Sequence, residues 1–140
     1  MRHYLIVANQ TLAGGALLSK VRSLHEAGPS AFHVLVPASH PSDHAWSDGE
    51  VRAAAERRLE RCLAMLADRG IVADGEVADP HPVTAIREVL ARGDHRFDAI
   101  VLSTLHPGVS RWLKLDIISR VEGFGLPVFH VIGELEPADA

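Results

Sequence analysis

The residues best equipped for chemistry stand together at the end of one apolar run. Ala99-Ile100-Val101-Leu102 breaks into Ser103, Thr104, His106, Pro107 and Gly108, and Ser110 opens a new amphipathic stretch. Hydroxyls, an imidazole and a glycine placed after a buried strand can hold a small polar ligand. In open α/β sheets ligands bind in the crevice beyond the carboxyl ends of the strands, where helix starts present N–H groups. Asn9 and Thr11 follow the first apolar run in the same way. Asn9, Thr11, Ser103, Thr104, His106, Gly108 and Ser110 are therefore the candidate ligand-binding residues. The same residue types also cap helices and close turns, so their convergence is what the structure has to decide.

Other chemistries fit the residues less well. Ser103, His106 and Asp116 have the types of a hydrolase triad. A nucleophile elbow needs Gly-x-Ser-x-Gly, and Ser103 sits instead between Leu102 and Thr104. The expectation is that the protein is not an enzyme; a small α/β enzyme using Ser103 and His106 is the outlying alternative. His40 and His44 flank Asp43 and would share a helix face, but Pro41 and Ser42 indicate a loop. No third ligand is evident, so no metal is expected. Arg111 and Lys114 flank the loop and could hold an acidic ligand, or simply form a solvated face. Gly14-Gly15 could admit an anion at a helix start, or merely loosen it. Cys62 falls on an apolar helix face and reads as a small buried hydrophobe. Trp46 lies in a polar loop and has no assigned role.

The elements that must position these residues follow from switching periodicity. Tyr4–Ala8 and Phe32–Val36 are short apolar runs, hence buried strands. Leu17, Val21 and Leu24 repeat at helical spacing and stop at Gly28-Pro29. A long helix is expected from Gly49 to Arg69, capped by Asp48. Ile71–Val77 reads as a strand, Pro82–Arg92 as a helix with Pro in its first turn, and Ala99–Leu102 as a strand. One helix, Trp112–Val121, and a last strand, Pro127–Ile132, complete the order β-α-β-α-β-α-β-α-β. That alternation implies a parallel sheet covered on both faces, a single α/β domain over residues 1–133, and a polar tail over 134–140.

Composition narrows the function. The chain has 140 residues, 47% hydrophobic and 23% charged, with a net charge of −4 and no basic run. Nucleic-acid binding, which needs clustered cations, is not expected. No apolar stretch reaches the length of a membrane span. The amino terminus enters a strand at once, and the expected location is cytoplasmic.

Three segments together resemble the universal stress protein family. They are Tyr4-Leu-Ile-Val-Ala8, Val77-Ala-Asp79-Pro80 with Ala85-Ile86, and Asp98-Ala-Ile-Val-Leu102 followed by Trp112-Leu113, Arg120-Val121 and Pro127-Val128. The resemblance implies a flavodoxin-like (Rossmann-like) sandwich with strand order 3-2-1-4-5 and a role in stress response or regulation. Asn9, Thr11, Ser103, Thr104 and His106 are expected to line one concavity beside Val36 and Pro37, whose backbone could hydrogen-bond a flat ring; Val36 is thus a further ligand-binding candidate. ATP-binding members carry Gly-x2-Gly-x9-Gly-Ser/Thr in the last loop; here Ser103, His106 and Asp116-Ile117 (or, one residue earlier, Leu115-Asp116) stand at those positions. Asn9 stands where such members usually have Asp. No cofactor is therefore expected: ATP is disfavoured, with the ATP site lost or respecialised for another small ligand or a protein partner. An ATP- or AMP-binding member is the alternative. Val128, Phe129, His130, Val131 and Ile132 form an apolar last strand, which in this order lies at an edge. Family members often dimerise through it, so a homodimer is expected.

Overall fold

The computed structural model describes residues 1–39 and 47–133. His40, Asp43, His44, Trp46 and the tail over 134–140 lie outside these described residues. Ten elements follow one another: β1 (Arg2–Val7), α1 (Gly15–Glu26), β2 (Ser30–Pro37), α2 (Asp48–Asp68), β3 (Ala73–Ala78), α3 (Pro82–Arg92), β4 (Ala99–Thr104), α4 (Arg111–Lys114), α5 (Ile117–Glu122) and β5 (Val128–Ile132). The five strands form one parallel sheet in the order β3-β2-β1-β4-β5. This is a single-domain flavodoxin-like sandwich.

Alternation along the strands builds two cores. Tyr4, Ile6, Phe32, Val34 and Val101 point to one face and meet Leu17 and Val21 of α1 and Val51, Ala55, Leu59, Cys62 and Leu66 of α2. Leu5, Val7, Leu35, Ile100 and Leu102 point to the other and meet Val83, Ile86 and Val89 of α3, Trp112 of α4 and Ile117 and Val121 of α5. A central strand buried on both faces must be apolar through its middle, which is why Tyr4–Val7 of β1 and Ala99–Leu102 of β4 read as unbroken runs.

Three differences from the sequence reading have a physical cause on view, beyond shifts of one or two residues at several strand ends. Ser47, not Asp48, caps α2: its hydroxyl accepts from the Glu50 N–H at 3.1 Å, and its own N–H donates to the Glu50 carboxylate at 3.3 Å. This reciprocal pair satisfies two helix-end donors. Ser103 and Thr104 belong to β4 rather than to the loop, because they pair in register with Val131 and Ile132. The single helix expected over Trp112–Val121 is two, α4 and α5. The chain breaks at Asp116, which has φ 58° and ψ 41°. Asp tolerates this left-handed conformation better than most side chains.

Gly75 sets how closely α2 can approach the sheet. A Cβ there would lie 2.7 Å from Leu59 Cδ1 and 2.7 Å from the Val34 carbonyl oxygen. Leu59 could turn aside, but the strand carbonyl cannot. Gly75→Ala should destabilise the fold by about 1–3 kcal/mol through overpacking, measured by urea denaturation. On the same strand, Glu76 is held below its ordinary value of 4.5, chiefly by its hydrogen bonds from Arg92. A depressed carboxyl stabilises the fold above the unfolded value, and that contribution disappears as pH falls through the folded one. Glu76→Gln should therefore lower stability at pH 7 and flatten its decline below pH 4.5, read from denaturation midpoints across that range.

Candidate functional site

Two turns diverge where the winding of the sheet reverses between β1 and β4. After β1 the chain makes a tight bend, with the Leu12 N–H on the Asn9 carbonyl at 3.3 Å and the Gly14 N–H on the Thr11 carbonyl at 3.0 Å. Leu12 is buried and anchors the bend. After β4 the His106 carbonyl accepts from both Val109 and Ser110 N–H groups, each at 3.0 Å. The Ser110 hydroxyl then accepts from the Leu113 N–H at 3.2 Å, starting α4.

Between these turns lies a cavity of about 470 Å³. Asn9, Thr11, Ser103, Thr104 and Ser110 all line it, and all are buried. Its apolar walls include Pro80, Pro82, Leu105, Val109, Trp112 and Leu115. Thr11 Oγ1 and Ser103 Oγ share a hydrogen bond of 2.6 Å across the two loops. Gly133 packs over this pair: a Cβ there would come 3.1 Å from Thr11 Cβ. The Thr104 hydroxyl donates to the Leu105 carbonyl and lies 2.8 Å from His130 Nε2. Burial pushes the His130 imidazole below its ordinary value, which favours a neutral ring beside that hydroxyl.

Arg111 also lines the cavity, at its exposed edge, whereas Val36, His106, Gly108 and Lys114 lie outside the lining. Val36 is wholly buried within the sheet, and neither it nor Pro37 faces the cavity. Ser39, just beyond β2, lines that side instead. Its carbonyl accepts from Asn9 Nδ2 at 3.3 Å and its hydroxyl from Trp112 Nε1 at 3.1 Å. His106 and Gly108 are exposed. A Cβ on Gly108 would lie 3.3 Å from His106 Nδ1, so the glycine lets the imidazole fold back over its own turn. Asp116 is also exposed and off the lining, so Ser103, His106 and Asp116 do not gather there. Gly14, at φ −70°, adopts a conformation open to any residue, and a methyl on Gly15 would meet nothing within 4 Å.

Some contributors escaped the sequence reading. Arg58 is 4% exposed, and its guanidinium donates to Asn9 Oδ1 at 3.0 Å. A buried cation thus holds the Asn9 amide, whose nitrogen faces Ser39. Its signal was spacing: Val51, Ala55, Arg58 and Cys62 run along one helix face, and an arginine on an apolar stripe is rarely buried without a partner. Ser39, Pro80 and His81 join the cavity because β2 and β3 end together beside it; their local sequence shows no such proximity.

No family model matches this chain, and no curated protein matches it. Solved structures do. A universal stress protein from Archaeoglobus fulgidus superposes with a TM-score of 0.63 at 13% identity, covering 94% of this chain and 93% of that one. A protein from the universal stress protein family from Burkholderia pseudomallei superposes with a TM-score of 0.63 at 11% identity, covering 91% and 93%. At such identities likeness speaks for architecture alone: this chain has the fold of the universal stress proteins.

Proposed function

We propose that the protein is a non-catalytic, cytoplasmic module of universal-stress-protein type, acting in stress response or regulation, whose ATP site is respecialised for a small ligand of low charge. The cavity at the switch point carries this reading. Its buried polar groups are hydroxyls and an amide, suited to orienting a neutral ligand; its walls are largely apolar, and the charged Arg111 and the His81 imidazole stand at its exposed rim. The features that favour a polyphosphate are weak there. Ser103 and Thr11 share a hydrogen bond that uses one of their two O–H groups, and Ser110 occupies the Leu113 N–H at the start of α4. A nucleoside polyphosphate needs free backbone donors and close glycine approach.

ATP with Mg²⁺ should bind with a Kd above about 100 μM, or less than roughly 5.5 kcal/mol, by isothermal titration. A low-micromolar Kd would replace this reading with that of an ordinary nucleotide-binding member. Denaturing extraction of the purified protein followed by mass spectrometry should release a small molecule without a triphosphate.

We also propose a homodimer through β5. That strand pairs only with β4 and leaves its other edge open among the described residues. Ile132 is 50% exposed, and no Lys or Pro interrupts Val128–Ile132. Open edges of this kind favour pairing with a second strand. Light scattering at micromolar concentration should give twice the 15.1 kDa chain mass. Val131→Pro should yield a folded monomer; a dimer unaffected by it would place the interface elsewhere.

A further inference from the structure

We propose that His33, Asp74 and His95 form a binding site for a divalent transition metal of the zinc type at the amino-terminal end of the sheet, opposite the cavity. One donor atom from each residue lies within 4.8 Å of the others. His33 is buried in β2, and Asp74 stands beside it in register on β3. His95 comes from the segment joining α3 to β4, its ring centroid 4.9 Å from that of His33. A smaller cavity of about 200 Å³ adjoins all three and gives access from solvent.

The hydrogen bonding of His33 carries the inference. Its Nδ1 lies 2.8 Å from Asp74 Oδ1, and its Nε2 lies 2.7 Å from Glu76 Oε2. A neutral imidazole has one N–H and cannot donate to both carboxylates. Glu76 is fixed from behind by the Arg92 guanidinium, through Oε1 at 2.9 Å and a second bond to Oε2. In the tautomer that keeps its N–H on Nε2 toward Glu76, the Nδ1 lone pair faces a carboxylate oxygen, and a cation between them joins the two. An imidazolium would instead donate to both carboxylates, a case that the nitrogen-15 shifts below separate. Carboxylate, imidazole and metal in line is the usual arrangement around a metal-bound histidine.

The ligand types agree with a zinc-like ion, and the distances come into range with local movements. Bonds of about 2.0–2.1 Å in a tetrahedron put donors about 3.3 Å apart, so Nδ1 and Oδ1 need to part by about 0.5 Å. Asp74 is 65% exposed at its side chain and can turn. His95 must swing inward, which its place outside helix and strand allows. Two imidazoles with one carboxylate suit zinc and its neighbours rather than calcium or magnesium. Three protein ligands leave a fourth position for water.

The test is titration of chelator-treated full-length protein with Zn²⁺ by calorimetry, and with Co²⁺ by visible absorption. One ion per chain should bind at micromolar concentration or below, with Co²⁺ bands of a tetrahedral site. His95→Ala and Asp74→Ala, both outside the buried core, should each weaken binding at least ten-fold while circular dichroism stays unchanged. His25→Gln, on α1 at the other face of the sheet, should leave it intact. Absence of binding would overturn the site. So would equal binding by wild type, His95→Ala and Asp74→Ala, which would assign the ion to other histidines. Nitrogen-15 shifts showing both His33 nitrogens protonated with Zn²⁺ present would also overturn it.

Discussion

The reversal of winding at β1 is the constraint on which the rest of the molecule depends. β2 and β3 are laid down on one side of it and β4 and β5 on the other. Right-handed crossovers then send helices to opposite faces: α1 and α2 cover one, α3, α4 and α5 the other. The turns after β1 and β4 must leave the sheet in opposite directions, and a crevice opens between them. Nothing in the cavity side chains creates that space. They line a gap that topology makes unavoidable.

What the chain does with the gap is a matter of local polar bookkeeping. Thr11 and Ser103 bond each other, Asn9 is held between Arg58 and Ser39, and Trp112 reaches across to Ser39. Each of these bonds joins segments distant in sequence, so the rim of the crevice is tied together. A buried guanidinium is costly without partners and strongly ordering with them. The amide of Asn9 is accordingly presented in one orientation. Such pre-organisation suits recognition of one ligand shape more than accommodation of many.

Much of this was legible in the sequence, for reasons that differ by element. β1 and β4 declare themselves because double-sided burial demands uninterrupted apolar residues. α3 declares itself through Pro82 at its first turn and Gly93, at φ 72°, beyond its end. The break between α4 and α5 did not show, because Asp116 carries no glycine or proline to mark it. Five cavity residues were readable from strand ends alone, since alternation and termination are local. Ser39 and Arg58 were not, because their roles arise where β2 ends and α2 crosses. His106 misled for a related reason: an imidazole in a binding loop looks functional, yet Gly108 gives it room to fold away from the crevice. The cluster at the other end of the sheet was hidden too. Its members come from β2, β3 and the approach to β4, and only sheet register brings His33 beside Asp74.

The bond from Trp112 to Ser39 has an optical consequence. The indole is 9% exposed and forms part of the cavity wall, with its N–H already engaged. Its emission belongs to a partly shielded ring whose surroundings are the crevice itself. The chain has two tryptophans, and the other, Trp46, lies among residues 40–46. With Trp46 replaced by Phe, the protein becomes its own fluorophore for whatever occupies the crevice, and occupancy can be followed in solution without a label.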